Sequence, residues 1–124
     1  MFKGIEHTAI ATPDPERLAQ WYVEHLGFRI NYRYGPFVFV KAPDGSMIEF
    51  IPSEGEVATQ TMRSPGIRHL AIAVDDFDAA LEALQEKGVT WVGEPRRSEE
   101  GNRLAFFEDG DGNYVHIVHR PDAI

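Results

Sequence analysis

Two stretches of the chain, 62 positions apart, carry nearly the same eight residues and decide how the sequence folds. Residues 4–11 read GIEHTAIA and residues 66–73 read GIRHLAIA, with six of the eight positions identical. Further along, residues 48–51 (IEFI) correspond to residues 115–118 (VHIV), and the offset has grown to 67. A repeat of this kind indicates one structural unit used twice, and the change of offset indicates a short insertion in the second copy.

Each copy opens with the signals of a strand followed by a helix. Residues 4–11 are short, apolar and alternating, as expected for a strand. Asp14 followed by Pro15 predicts a helix start, and Gly27 is suited to end that helix in the left-handed conformation. The second copy has the matching signals at Asp75 or Asp76 and at Gly88.

Three strand-like runs follow each predicted helix. They lie at residues 28–34, 37–41 and 47–51 in the first copy and at 90–92, 103–107 and 114–118 in the second. Each copy is therefore a βαβββ module. The modules span about residues 1–55 and 63–121 of a single domain, residues 1–124, and the predicted fold class is α+β.

The composition is that of an ordinary folded protein and narrows the range of partners. Apolar residues make up 43% and charged residues 26% of the 124, which is enough to build a core. The net charge is −8, so nucleic acid and anionic membrane surfaces are not expected partners. There is no cysteine, which excludes disulfides and thiolate metal sites. No apolar stretch is long enough for a membrane span or forms an N-terminal signal, so a cytoplasmic location is expected.

Four metal-competent side chains occupy repeat-equivalent positions in otherwise apolar strands. His7 matches His69, and Glu49 matches His116. Both first-strand histidines share a strand face with small alanines, which leave room there. Burying an unpaired carboxylate or a charged imidazole is unfavourable, and a single metal ion would resolve this for all four groups. Three imidazoles and one carboxylate suit a divalent Zn, Fe, Ni, Co or Mn ion.

With these motifs the sequence resembles the vicinal oxygen chelate superfamily, which includes glyoxalase I, methylmalonyl-CoA epimerase, extradiol dioxygenases, fosfomycin-resistance enzymes and bleomycin-resistance proteins. The resemblance covers nearly the whole chain and rests on residues 5–10 (IEHTAI), 21–22 (WY), 26–28 (LGF), 43–45 (PDG), 48–50 (IEF), 69–76 (HLAIAVDD) and 111–116 (DGNYVH). It implies that the two modules form a curved, barrel-like mixed sheet with the helices on the outside. It also implies a metal that binds adjacent oxygens of a small-molecule substrate. A homodimer is implied as well, because in several members of the superfamily the site is shared between two chains.

The resemblance implies three of the metal ligands directly, His7, Glu49 and His69. His116 departs from glyoxalase I and its closest relatives, which usually carry a glutamate there that serves as ligand and base. Glu49 is then the only carboxylate of the four and the expected catalytic base. The expected reaction is of the lyase or isomerase type, through a metal-stabilised enediolate. An Fe(II) ring-cleaving-type dioxygenase is the alternative.

Two further interpretations stay open. A protein like the bleomycin-resistance members would bind a small molecule without a metal, and an acidic chain suits a cationic drug. The same four residues could instead close a structural zinc site that leaves no coordination position open. Substrate contacts are expected among four more residues, each of which could face the cavity or the solvent: Arg68, Arg103, Tyr34 and Trp91.

Overall fold

The chain divides into two compact units, Met1–Ala58 and Thr59–Ile124. The computed structural model describes residues 1–57 and 59–124. Each unit has one helix and one mixed sheet, of four strands in the first and five in the second, so the predicted α+β class is confirmed. No helix in the described part of the chain is long and apolar enough to cross a membrane.

The first unit follows the predicted order of elements. They are β1 (His7–Thr12), α1 (Pro15–Leu26), β2 (Arg29–Tyr34), β3 (Phe37–Lys41) and β4 (Met47–Pro52). The strand order is β1-β4-β3-β2, with β1 parallel to β4 and the other neighbours antiparallel. The first and last strands of the module therefore lie side by side, although α1 and two strands separate them in sequence.

The second unit repeats this arrangement with one addition. Its elements are β5 (His69–Ala73), α2 (Phe77–Glu86), β6 (Thr90–Trp91), β7 (Arg96–Arg97), β8 (Arg103–Glu108) and β9 (Tyr114–His119). The strand order is β5-β9-β8-β6, and β7 also pairs with β8. Strand β7 was not predicted. Gly93 at φ 76° and Pro95, which has no N–H to donate, interrupt what is one continuous strand, β2, in the first unit.

Strand pairing locates the insertion that the sequence indicated. Tyr34 pairs with Phe37 across a two-residue turn. Arg96 pairs with Leu104, which is the counterpart of Phe37 at the offset of 67. The added residues therefore lie in the β7–β8 connection, and Arg96 has the place in the second sheet that Tyr34 has in the first.

Local capping signals set the limits of both helices. The Asp14 carboxylate accepts a hydrogen bond of 3.1 Å from the backbone N–H three residues on, and Gly27 ends α1 at φ 73°. In the second unit Asp76 rather than Asp75 is the cap, with a matching hydrogen bond of 3.0 Å. The helix start predicted from each motif is thereby confirmed.

Each helix packs against one face of the sheet in its own unit. In the first unit the buried residues include Leu18, Ala19 and Tyr22 of the helix and Val38, Val40, Ile48 and Phe50 of the strands. In the second they include Phe77 and Leu84 of the helix and Ala105, Phe107, Val115 and Ile117 of the strands. Because strand side chains alternate between faces, Glu49 and His116 project from the opposite face to these core residues.

Candidate metal centre

His7 and Glu49 meet on the face of the first sheet that lies opposite α1. The face opposite the helix is called the open face in each unit. Ala9 is the cross-strand partner of Glu49, and His7 lies two residues before Ala9 on the same face. The two side chains approach with 3.5 Å between His7 Nε2 and Glu49 Oε1. Both keep some contact with solvent, at 34% and 20% side-chain exposure.

The other ring nitrogen of His7 determines which atom is available to a ligand. His7 Nδ1 lies 2.9 Å from the Glu6 carboxylate, which can only accept, so the geometry assigns the proton to Nδ1. Nε2 then presents its lone pair to Glu49 Oε1, and two electron-rich atoms in this position need a proton or a cation between them. Two ligand atoms bound at about 2.0–2.1 Å to a tetrahedral ion lie roughly 3.4 Å apart. The pair therefore fits a metal, with Glu6 orienting the ring.

His69 and His116 form the equivalent pair in the second unit. Ala71 is the cross-strand partner of His116, and His69 lies two residues before Ala71. The imidazole centroids are 4.7 Å apart and the ring planes are inclined at 59°. The sequence correspondence of the two pairs is thus reproduced in the strand register of both sheets.

His116 is the most enclosed of the four residues. It is 8% exposed, and its buried Nδ1 has no hydrogen-bond partner within residues 1–57 and 59–124. Burial, and then the charges of His69, Arg120 and Arg96, lower the pKa of His116 from 6.5 to about 4. The imidazole is therefore neutral near pH 7, which is the form that binds metals. A neutral imidazole with a buried nitrogen that forms no hydrogen bond to the described residues has the chemistry of a metal ligand, so His116 also fits the group.

A phenylalanine supports each pair. The Phe39 ring meets the His7 ring edge-on at 5.4 Å between centroids, and the Phe106 ring meets His69 in the same way at 5.2 Å. The Phe106 centroid is also 4.5 Å from that of His116. These phenylalanines are cross-strand partners of Glu49 and His116, and they match at the offset of 67. The two phenylalanines were not predicted as site residues, although their match at the offset of 67 in the repeat could have indicated them.

The four predicted ligands are thus present as two pairs, one in each unit. No group of three or more His, Asp or Glu side chains in the described parts of the chain is arranged to hold a metal ion. Each pair supplies two donor groups on an open sheet face, which is half of a four-ligand set.

Two of the predicted substrate residues have contacts within their own units. Tyr34 is stacked on Phe37 at 5.7 Å and is 63% exposed, on the same sheet face as Phe39 and Glu49. The Arg68 guanidinium donates a hydrogen bond to Gln60 in the segment before β5.

The other two face away from the His116 side of the second sheet. Arg103 pairs with His119, which is out of phase with His116, and its guanidinium binds Asp78 at 2.9 Å at the start of α2. The Trp91 ring packs on its cross-strand partner Phe107 at 5.9 Å. Arg103 and Trp91 therefore lie on the helix side of the sheet, and the site proposed below is built without them.

The structure adds two residues to the open faces that the sequence did not indicate. The Tyr32 ring lies 5.7 Å from Phe39 in the first unit, and the Arg96 guanidinium lies over Phe106, 5.4 Å from its centroid, in the second. Strand alternation could have placed Tyr32 beside Tyr34. Arg96 had no such signal, because β7 was not predicted.

Two βαβββ modules with metal-competent side chains at the same register positions are the pattern of the vicinal oxygen chelate proteins that the sequence resembles. The family model described as Glyoxalase/Bleomycin resistance protein/Dioxygenase superfamily matches residues 4–117. The chain belongs to this superfamily, so the resemblance to vicinal oxygen chelate proteins is confirmed.

Individual relatives cover nearly the whole chain. An uncharacterised protein of Bacillus subtilis, YwkD, is 35% identical over 120 residues, which are 90% of this chain and 92% of that protein. The ethylmalonyl-CoA/methylmalonyl-CoA epimerase of Cereibacter sphaeroides is 30% identical over 126 residues, covering 91% of this chain and 93% of the epimerase. Among solved structures, the oxidase ChaP-H2 is 30% identical with a TM-score of 0.77, covering 98% of this chain and 96% of that one. Named enzymes among these relatives support an enzymatic role in general.

Proposed function

We propose that this protein is a metal-dependent enzyme that moves a proton next to a carbonyl in a small substrate with two adjacent oxygens. The proposed ligands are His7 and Glu49 from the first unit and His69 and His116 from the second. The similarity to an epimerase, the class of enzyme that inverts the configuration at one stereocentre, supports proton transfer as the reaction type.

One observation carries the proposal: the same two register positions in both sheets hold side chains of the types that can bind divalent metals. In the first unit the His7 and Glu49 donor atoms face each other at a distance that an ion would bridge. In the second a neutral imidazole keeps a buried nitrogen without a hydrogen bond. A structural role alone would not require this pattern twice, since apolar residues pack better at such positions.

Glu49 is the proposed base. When bound, a divalent metal polarises adjacent substrate oxygens and makes the neighbouring C–H more acidic. The Glu49 carboxylate is mostly shielded from solvent and lies on the open face, where it can take that proton and return it. The three imidazoles add no charge, so the ligand set carries the single negative charge of Glu49.

A homodimer is part of the proposal. The superfamily resemblance implies pairing of modules between chains, and each unit here carries only half of the ligand set. The two halves are joined either within one chain or between two copies. Sedimentation analysis of the purified protein with and without metal tests this, and a strict monomer that binds metal at full stoichiometry would assign all four ligands to one chain.

Elemental analysis of protein purified without added metal is the first test. We expect about one Zn, Fe, Ni, Co or Mn ion per chain, lost in His7→Ala and in His116→Ala. His119→Ala is the matched control on β9 and should keep the metal. Absence of metal after reconstitution would refute the enzyme proposal and favour a metal-free small-molecule binding protein.

Two assays then separate proton transfer from oxygen chemistry. Exchange of the C–H protons of hydroxyacetone for deuterium, followed by NMR, reports on proton transfer without knowledge of the natural substrate. Oxygen consumption with catechol reports on dioxygenase activity, the second candidate, which the similarity to an oxidase favours. Exchange that is lost in Glu49→Gln supports the first function. Oxygen uptake that requires Fe(II), without exchange, would replace it by the second.

A further inference from the structure

We propose that Arg96 binds a carboxylate group of the substrate, next to the His69–His116 pair. The inference rests on the proposed function, because it takes the ligand of Arg96 to be the molecule that reaches the metal. It names a chemical class for that molecule: an anionic compound whose carboxylate lies at a distance from its two chelating oxygens.

The position of Arg96 is the first support. Its cross-strand partner is Leu104, which shares a sheet face with Phe106 and His116. The guanidinium carbon lies 5.4 Å from the Phe106 centroid, and the same ring lies 4.5 Å from the His116 ring and 5.2 Å from the His69 ring. A single aromatic ring therefore separates the arginine from both imidazoles.

The availability of the guanidinium is the second support. Arg33 and Arg103 form ion pairs with acidic side chains, whereas no acidic residue within 1–57 or 59–124 forms one with Arg96. Stacking on Phe106 orients the guanidinium plane and leaves its N–H groups to a ligand. A planar fork of donors matches the two oxygens of a carboxylate.

The contrast with the first unit is the third support. The place of Arg96 is taken there by Tyr34, and the place of neutral His116 is taken by the anionic Glu49. In the second unit Arg96 therefore lies beside Phe106 and His116, where the first unit has Tyr34 and Glu49. An anionic end of a substrate is therefore attracted to the second unit and not to the first.

Matched ligands test the inference in the zinc-loaded protein under nitrogen. Catechol offers two adjacent oxygens, and 3,4-dihydroxybenzoate and 3,4-dihydroxyphenylacetate add a carboxylate at two distances. We expect at least one acid to bind about tenfold more tightly than catechol, in line with a charge-assisted pair at a partly exposed site. Arg96→Gln should remove this advantage and leave catechol binding unchanged. Arg97→Gln, the next residue of β7 on the other face, should retain it.

A metal-free arm separates this inference from the proposed function. In chelator-treated protein, benzoate should shift the NMR signals of Phe106 and His116 at millimolar concentration in the wild type and in Arg97→Gln, but not in Arg96→Gln. If zinc fails to bind while benzoate still binds through Arg96, the metal proposal fails and the anion site stands. If zinc and catechol bind but neither acid gains from Arg96, or benzoate shifts persist in Arg96→Gln, the inference is overturned and the proposed function is untouched.

Discussion

The two units share a backbone plan but differ in the chemistry that they place on it. In the first, His7 and Glu49 are a partly exposed pair with donor atoms 3.5 Å apart. In the second, His69 is exposed while His116 is 8% exposed, and the neighbouring arginine is positive. The equivalent strand register of the two units therefore makes their side chains project in the same way. The residue types at these positions determine the charge and the burial, which differ between the units.

This difference indicates a division of labour between the units. In the proposed site, the first unit supplies the negative ligand and the base. The second supplies neutral ligands and a cationic neighbour. A substrate carboxylate is attracted to Arg96 and repelled by the Glu49 carboxylate, because opposite charges attract and like charges repel.

The largest expected effect separates ligation from base catalysis. Glu49→Gln and His116→Gln each remove one proposed ligand, and the two residues hold equivalent register positions in the two sheets. Both substitutions should weaken metal binding. Only Glu49→Gln also removes the base, so its exchange rate with hydroxyacetone should stay about 10²–10⁴-fold below wild type at saturating Zn. His116→Gln should regain most of its rate as Zn is raised. Equal recovery of both variants would show that Glu49 is a ligand only.

The second effect is a sensitivity to acid that belongs to His116. The fold lowers the pKa of His116 to about 4, whereas the unfolded chain protonates near 6.5. The unfolded state therefore binds the extra proton first, and stability falls as the pH falls from 6.5 towards 4. In His116→Phe, which keeps a ring in place, acidification from pH 7 to 4.5 should destabilise the chelator-treated protein by roughly 2–3 kcal/mol less than in wild type.

Urea unfolding at the two pH values measures this difference. His119→Gln, a change three residues along β9, serves as the control and should behave as wild type does. Identical acid sensitivity of His116→Phe and wild type would mean that His116 does not become desolvated in the folded protein.

The third effect makes the two units chemically alike. His116→Glu places a carboxylate at both equivalent register positions, as in the glyoxalase I pattern described above. A second hard oxygen ligand should shift the preference of the site from Zn towards Mn by about tenfold, because carboxylates suit Mn and imidazoles suit Zn. Competition dialysis with equal Zn and Mn measures the shift. An unchanged ratio would indicate that His116 lines the site without binding the metal.

Most of the fold could be predicted from the sequence because its signals are local and occur twice. Asp14, Pro15 and Gly27 fixed the ends of α1, and the repeat carried the same prediction to α2. Strand β7 was not predicted because Gly93 and Pro95 interrupt the apolar pattern. Only its pairing with β8 in the structure shows that the chain returns to the sheet there.

The candidate ligands could be proposed from the sequence as far as the repeat extends. His7, Glu49, His69 and His116 stand out because both copies hold metal-competent residues at matching positions. The sheet faces on which Arg103 and Trp91 lie could not be predicted. A shift of the strand register by one residue turns every side chain to the other face, and the register was not known from the sequence. Arg96 was missed because β7 was not predicted and because its structural counterpart, Tyr34, is a different residue type.

The smallest effect tests whether the two units are also equivalent in stability. Asp14→Ala and Asp76→Ala each remove the carboxylate that caps a helix N-terminus, and each should cost about 1 kcal/mol, or roughly 3–6 °C in Tm. Asp14 and Asp76 changed to Asn should retain most of the stability, because the amide oxygen accepts the same hydrogen bond. Asp75→Ala, adjacent to the second cap, is the control.

Pro15 fixes the first turn of α1, so the loss for Asp14→Ala should be no larger than that for Asp76→Ala. Hydrogen exchange shows where each loss is felt. If the two units unfold together, either cap variant raises exchange in both sheets. If each unit unfolds alone, Asp14→Ala raises exchange only in the first sheet and Asp76→Ala only in the second, because local opening then follows the unit that lost its cap. The second result would mean that the ligand pairs are held by separately stable halves, so that metal binding is the step that couples them.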